Sequence, residues 1–223
     1  MTFLTFQQEI ELAVKKKVQL KINDNHTTML SVKWEPECTK ISIHRIFLEA
    51  PKNIMDALSC YIKKKNGHLC PSVQAYIEEK LQNEDYSYRI PPEKLISQGV
   101  CYDLKQFYDE INLEYFEGKV NLAITWFGRA TKKNRSRVTF GMYQHSLKLI
   151  KIHKLLDNPF FPEYFVKFVI YHEMVHHVRP AYYDTKGKHH IHSKEFKELE
   201  SQYIHFAAAK AWMKKHYDNF FMM

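Results

Sequence analysis

The pentapeptide His172-Glu173-Met174-Val175-His176 constrains the fold of this chain more than any other feature of its sequence. It lies in a segment bounded by Pro162 and Pro180, in which apolar residues recur at the spacing of an α-helix. The residues that share one face of this predicted helix are Phe165, Phe168, Val169, His172 and His176. Both histidines of the pentapeptide therefore lie on the same side of the helix as its apolar stripe.

The two histidines of this HExxH motif are suited to hold one metal ion. Side chains four residues apart on a helix lie one turn above each other, with Cβ atoms about 5–6 Å apart, so both imidazoles can reach the same cation. Neutral imidazole suits Zn²⁺, and a catalytic zinc site uses three protein ligands and keeps its fourth position for water. Glu173 directly follows the first ligand, and we predict that it acts on this water as the general base.

The third ligand of the predicted site has several candidates downstream of the motif. Six of the 13 histidines of the chain fall within the 21 residues from His172 to His192. The competing side chains are those of His189, His190, His192, Glu195 and Glu198. We favour His192, because it directly precedes a predicted helix whose start is fixed by burial of Phe196. We expect His189 and His190 in an exposed, mobile loop.

The chain as a whole predicts an α+β protein in two parts. Its composition, 45% apolar and 26% charged, is that of an ordinary globular protein. Residues 1–98 form the first part, a β-β-β-α region of unknown role with a short helix over 1–16, strands over 18–22, 29–34 and 40–46, and a helix over 51–65. Residues 83–98 contain Pro91-Pro92 and few apolar residues, which favours a linker.

Residues 99–223 form the second part and contain the HExxH motif. We predict a helix over 103–116, strands over 120–127, 137–143 and 147–153, the HExxH helix from residue 162, and one last helix over 193–215. A sheet of about three strands thus follows the leading helix.

An ordered series of motifs in the second part resembles the SprT-like, or Spartan-like, zinc metalloproteases. The resemblance covers about residues 102–203 and depends on the order and spacing of all these motifs. They are Asn112-x-x-Tyr115-Phe116-x-Gly118, Ile124-x-Trp126, Gly141, Ile150-x-Ile152-x-x-Leu155-Leu156, His172-Glu173-x-x-His176 and His192-x-x-Glu195-Phe196. HExxH by itself is too short a motif to identify the family.

This resemblance implies a zincin-like metallopeptidase core, in which a small mixed sheet covers the HExxH helix. It implies Zn²⁺ held by His172, His176 and His192, with Glu173 as the catalytic base. It further implies cleavage of proteins that are associated with DNA or crosslinked to it. The chain departs from many members of the family because all four of its cysteines precede the motif, whereas those members carry cysteine pairs of a DNA-binding module after it.

Basic residues are concentrated in one part of the chain, which has a formal net charge of +8. Residues 118–156 contain nine lysines and arginines and no aspartate or glutamate. Five of the nine surround one predicted turn, and these are Arg129, Lys132, Lys133, Arg135 and Arg137. Such a turn can contact the phosphates of a nucleic acid, and the same residues also suit a turn that is simply hydrated. DNA is therefore a predicted partner.

Three functions fit the sequence. The first is a zinc-dependent endopeptidase, whose protein or peptide substrate lies extended along the edge of the sheet, predicted over 137–143. The alternative is a nucleic-acid-binding protein whose zinc site is structural and has no protease activity. The third is a metal-dependent hydrolase of a non-peptide substrate. The sequence has no apolar run of about 20 residues and begins without a signal peptide, so we expect a cytoplasmic protein with no membrane partner.

Overall fold

The computed structural model of the chain describes residues 3–15, 17–25, 28–63, 68–129, 139–184 and 186–216. Within these ranges the fold is mixed α+β, with seven α-helices and three small sheets. The helices are α1 (Phe3–Val14), α2 (Lys52–Lys63), α3 (Pro71–Gln82), α4 (Leu104–Phe116), α5 (Glu163–Val178), α6 (Lys194–Glu200) and α7 (Phe206–His216). The strands are β1 (Lys17–Asn23), β2 (Leu30–Trp34), β3 (Cys38–His44), β4 (Ala123–Phe127), β5 (Gly141–Gln144), β6 (Leu149–His153), β7 (Tyr182–Tyr183) and β8 (His189–His190).

The chain divides into two compact units. Unit 1 comprises Met1–Glu84 and Tyr182–His189, and unit 2 comprises Asp85–Ala181 and His190–Met223. The segment between the HExxH helix and the predicted third ligand therefore belongs to unit 1, although the residues on either side of it belong to unit 2.

Unit 1 is built on a three-stranded sheet in the order β1-β3-β2. The central strand β3 is parallel to β1 and antiparallel to β2. Ile41 and Ile43, two residues apart on β3, are both buried, as the alternation of side chains along a strand requires. They share one core with Ile10 of α1, Leu58 of α2 and Val73 of α3. The predicted order of three strands followed by a helix is present in this unit.

The segment Tyr182–His189 of unit 1 contains one strand of a two-stranded sheet formed by β7 and β8. The ring of His189 stacks on that of Tyr183, with centroids 4.4 Å apart and planes at 10°. Its Nε2 lies 3.0 Å from a carboxylate oxygen of Glu78 on α3. The prediction of a loop at His189 and His190 is therefore wrong, because both residues form β8 and His189 is held by a ring contact and a carboxylate.

Unit 2 contains a second three-stranded sheet, in the order β4-β6-β5. The central strand β6 is parallel to β4 and antiparallel to β5, which makes the sheet mixed. Ile150 and Ile152 of β6 are fully buried. The strand predicted over 137–143 is observed as Gly141–Gln144, and residues 137 and 138 lie outside the described residues. β5 is thus an edge strand of this sheet.

The HExxH helix α5 is the central element of unit 2. It contacts β5 and β6 as well as the helices α4, α6 and α7. The sequence predicts one apolar face, but the buried residues of α5 surround the helix, as expected for an element covered on several sides. These residues are Phe165, Val166, Phe168, Val169, Ile170, Tyr171, Glu173, Met174 and Val175.

The single helix predicted over 193–215 is wrong, because the structure has two helices there, α6 and α7. In the turn between them, the N–H of Ile204 donates to the hydroxyl of Tyr115 (3.2 Å). In a continuous helix this N–H would donate to the carbonyl of residue 200. The hydroxyl of Tyr203 donates to the carbonyl of Tyr164 on α5 (2.9 Å). Contacts with α4 and α5 therefore compete with the helical hydrogen bonds, a tertiary effect that the local sequence pattern does not contain.

The segment predicted as a linker packs against the second sheet. Tyr86 is buried, with 1% of its surface exposed, and its N–H donates to the carbonyl of Ser146 (2.7 Å). Further along, the N–H of Ile96 donates to the hydroxyl of Thr125 (2.9 Å), and the N–H of Trp126 donates to the carbonyl of Ile96 (2.8 Å). Residues 85–98 are therefore part of unit 2, where they run beside β4.

Candidate metal centre

Helix α5 presents its two motif histidines one turn apart. The ring centroids of His172 and His176 are 4.9 Å apart. The helix that holds them is fixed by burial of its apolar residues and begins directly after Pro162, whose fixed φ and lack of an N–H suit the start of a helix. The predicted arrangement of these two side chains on one face is observed.

His192 completes a group of three imidazoles. It directly precedes Ser193, the N-cap residue of α6, whose hydroxyl accepts the N–H of Phe196 (3.2 Å). The ring of His192 lies 5.1 Å from that of His172 and 5.0 Å from that of His176. One nitrogen from each of the three rings lies within 4.8 Å of the other two.

The other third-ligand candidates lie elsewhere. In the part of the chain that the structure describes, His172, His176 and His192 are the one group of three or more metal-ligating side chains. His189 and His190 form β8, and Glu195 and Glu198 are exposed on α6.

Phe196 forms an apolar floor under the three imidazoles. Its ring centroid lies 5.2 Å from that of His172, 4.6 Å from that of His176 and 4.6 Å from that of His192. The side chain is 1% exposed. Burial of Phe196 therefore fixes the start of α6, and with it the position of His192, as the sequence predicts.

The geometry and the charge state of the group fit Zn²⁺. A tetrahedral ion with Zn–N bonds of about 2.0–2.1 Å places its ligand atoms about 3.3 Å apart, and the Nε2 atoms of His176 and His192 are 3.2 Å apart. Burial and the neighbouring imidazoles lower the pKa of His176 to about 3. Burial also lowers the pKa of His192. Both rings are therefore neutral at pH 7, the form that binds a metal.

Glu173 lies between this helix and the edge strand β5. Its side chain is buried, with 6% of the residue exposed. The main-chain N–H of Tyr143 donates to its carboxylate. A Cβ atom at Gly141 would lie 2.4 Å from Glu173 Oε1 and 2.8 Å from its Cγ, so only glycine allows this close approach of the strand. Burial raises the pKa of Glu173 to about 7, against the opposing effects of His172 and the Tyr143 N–H.

Two groups of contacts around the site were not predicted from the sequence. Oε1 of Glu200 lies 2.7 Å from Nδ1 of His172 and 3.1 Å from Nζ of Lys210. On the other side of α5, the hydroxyl of Tyr143 lies 2.8 Å from Nδ1 of His177. Glu200 follows His192 by eight residues and belongs to no motif that we recognised, so no sequence signal pointed to it.

The charge state of Glu200 reflects its two cationic or donating neighbours. Burial acts to raise the pKa of this carboxyl, but the hydrogen bond from His172 and the charge of Lys210 together lower it. Glu200 is therefore ionised at neutral pH, in contrast to Glu173.

The basic turn lies mostly outside the described residues. Arg129, which follows β4, is exposed. Lys132, Lys133, Arg135 and Arg137 belong to residues 130–138, which the structure does not describe. Their proposed contact with nucleic acid stays a prediction from the sequence.

Comparisons with known proteins place the chain in no family. No family model matches it, and neither the curated proteins nor the solved structures give a significant match. Among the described helices, none has the length and apolar character needed to cross a membrane.

Proposed function

We propose that the chain is a zinc-dependent endopeptidase of the SprT-like type, with Zn²⁺ bound by His172, His176 and His192 and Glu173 as general base. The observation that carries the proposal is the position of Glu173. Its buried carboxylate is next in sequence to a predicted ligand and accepts a hydrogen bond from the edge strand β5. A base held between three imidazoles and a strand edge is in the right place to act on a peptide bound along that edge.

The number of ligands supports a catalytic ion over a structural one. Structural zinc sites are closed by four protein ligands, whereas catalytic sites use three and keep one position open. Across residues 3–15, 17–25, 28–63, 68–129, 139–184 and 186–216, the histidine group contains three ligating side chains and no fourth. We infer a zincin-like core from the same arrangement, with the mixed sheet β4-β6-β5 packed against the HExxH helix α5.

Strand β5 is suited to bind an extended peptide by strand addition. The carbonyl of Phe140 accepts the N–H of His153, so the main-chain groups of Phe140 point toward β6. Because this direction alternates along an antiparallel strand, the main-chain groups of Gly141 and Tyr143 point toward the open edge. A substrate strand paired there would lie beside Glu173, which already contacts the Tyr143 N–H.

The proposed role of Glu173 is to take a proton from the attacking water and to pass it to the leaving amine. A base works best when its pKa is near the working pH, and burial raises the pKa of Glu173 to about 7. Zinc, when bound, supplies Lewis acidity that polarises the scissile carbonyl and makes a water molecule acidic near neutral pH.

A Glu173→Gln variant tests this proposal. We expect it to retain about one zinc per chain and to lose cleavage of a protein substrate, because the amide cannot accept the proton. Glu198→Gln is the matched control, since it makes the same chemical change at an exposed position on α6. A Glu173→Gln protein that cleaves at the wild-type rate would exclude the proposed mechanism. A wild-type protein that binds zinc but yields no cleavage products from a proteome would favour a non-peptide substrate.

Proteins bound or crosslinked to DNA are the proposed substrates, and nucleic-acid binding is the second candidate function. Both have the support of the basic segment 118–156, with nine positive and no acidic residues. Arg135→Ala with Arg137→Ala is expected to lower the slope of log binding constant against log salt by about 1.4, or about 0.7 for each lost phosphate contact on single strands. The control pair is Lys214→Ala with Lys215→Ala, in the last turn of α7.

The two candidates are separated by cleavage measured with and without single-stranded DNA. Cleavage of the protein itself and of an added basic DNA-binding protein, dependent on DNA and absent from Glu173→Gln, supports a DNA-directed protease. Salt-dependent binding without cleavage supports the binding protein. Binding that is indifferent to salt refutes a role for the basic turn in either function.

A further inference from the structure

We propose that Glu200 is a positioning residue of the metal centre, which holds His172 with Nε2 directed at the ion. This inference rests on the proposed zinc site and extends it to a residue outside the HExxH motif. It does not require that the bound zinc serve peptide hydrolysis.

The contact between Glu200 and His172 is short and shielded from water. Oε1 of Glu200 lies 2.7 Å from Nδ1 of His172, and Glu200 is 6% exposed. An ionised carboxylate can only accept a hydrogen bond, so Nδ1 of His172 carries the proton. In a neutral ring the other nitrogen, Nε2, then carries the lone pair that a metal needs.

A carboxylate behind a metal-bound histidine has two effects on the ligand. It fixes the orientation and the tautomer of the ring, and it makes the ligating nitrogen more basic. Both effects favour metal binding, although the carboxylate itself does not touch the ion. Nε2 of His172 and the Glu200 contact at Nδ1 are on different sides of the same ring, so Glu200 acts through His172.

A buried carboxylate is costly unless a positive charge or several donors accompany it. Lys210 on α7 supplies that charge, because its Nζ lies 3.1 Å from the same oxygen of Glu200. The ammonium group is itself held over two aromatic rings, 5.1 Å from the centroid of Phe168 and 5.2 Å from that of Phe206. The structure thus provides Glu200 with a fixed counter-charge as well as the histidine.

Helix α6 connects this carboxylate to the third ligand. His192 directly precedes the N-cap Ser193, and Glu200 is the last residue of the helix. Phe196, which lies between them on α6, packs under the three imidazoles. One seven-residue helix therefore sets the positions of a ligand, of the apolar floor and of the carboxylate behind another ligand.

The test compares zinc affinity in the full-length wild type, Glu200→Gln and Glu200→Ala, measured by competition with a chelator. We expect Glu200→Gln to bind zinc about 10- to 100-fold more weakly, the loss typical for such outer contacts, and Glu200→Ala to bind at least as weakly. Glu198→Gln, on the same helix but exposed, should bind like the wild type. The unfolding midpoint of the metal-free proteins, measured in parallel, should change little for Glu200→Gln, which keeps the shape of the side chain.

The readouts distinguish positioning from a merely structural role. A lower unfolding midpoint with unchanged zinc affinity would overturn the proposal, as would a wild type that binds no zinc. Saturating zinc should restore cleavage in Glu200→Gln but never in Glu173→Gln, because only Glu173 is placed to move a proton. Weaker zinc binding in the Glu200 variants, with no cleavage by any of the proteins, would support the positioning role and refute the protease.

Discussion

Glu173→Gln is expected to stabilise the metal-free protein against unfolding at alkaline pH, while it abolishes catalysis. The carboxyl of Glu173 is buried, and burial raises its pKa from an ordinary value of 4.5 to about 7. An acid whose pKa is raised by folding favours the native state when it is protonated. Its favourable contribution is full below about pH 4.5 and is lost as the pH rises through about 7.

The size of the effect follows from the two pKa values. The difference between 4.5 and about 7 corresponds to about 3 kcal/mol between the two ends of the titration. A glutamine has no charge to bury at any pH, and its amide oxygen can still accept the Tyr143 N–H. The variant should therefore match the wild type near pH 4.5 and exceed its free energy of unfolding by about 3 kcal/mol at pH 8.

Urea unfolding of both proteins, in a chelator and at a series of pH values, measures this difference. Subtracting the wild-type curve from that of Glu173→Gln removes the contributions of all other titrating groups. A difference that is flat between pH 4.5 and pH 8 would refute the argument that Glu173 is a desolvated acid. A difference that grows toward low pH would mean that the carboxylate is ionised and stabilised by a partner, as Glu200 is.

Two further predictions concern the surroundings of the site. Gly141→Ala should leave zinc binding intact but lower kcat by about 100-fold, because the new Cβ would meet Glu173 Oε1 at 2.4 Å and displace the base by about 1 Å; a kcat within twofold of the wild type would refute this. Phe196→Ala should lower the free energy of unfolding by about 3–5 kcal/mol and also weaken zinc binding, whereas Phe206→Ala, at a partly buried position, should cost less. Equal losses in urea unfolding would contradict the assigned role of Phe196.

The three histidines could be predicted because their positions depend on local rules. His172 and His176 share a face through the period of the helix. The position of His192 depends on the residues directly after it, since Ser193 caps α6 and Phe196 is buried. A cap and an apolar residue three positions later are visible in a sequence, and they identified the correct histidine among the five candidates for proximity to the motif.

The remaining features of the site arise from contacts between distant residues. Glu200 meets His172 across 28 positions of sequence, and the contact exists because the helix predicted over 193–215 is interrupted after residue 200. That interruption depends on the hydroxyl of Tyr115, which is 89 residues from its partner Ile204. Periodicity describes only neighbours along the chain, so it predicts a continuous helix here and gives no sign of the second carboxylate.

Two buried glutamates with opposite pKa shifts flank the first metal ligand, and their surroundings assign them different work. Glu173 has no cation beside it other than a protonated His172, so burial dominates and its pKa rises to about 7. Glu200 is buried to the same extent but also contacts Lys210, and its pKa falls. A group that titrates near neutral pH can exchange protons with a substrate, whereas one that stays ionised can hold a hydrogen bond without interruption. The ammonium group of Lys210 is therefore what keeps the positioning carboxylate from becoming a second base.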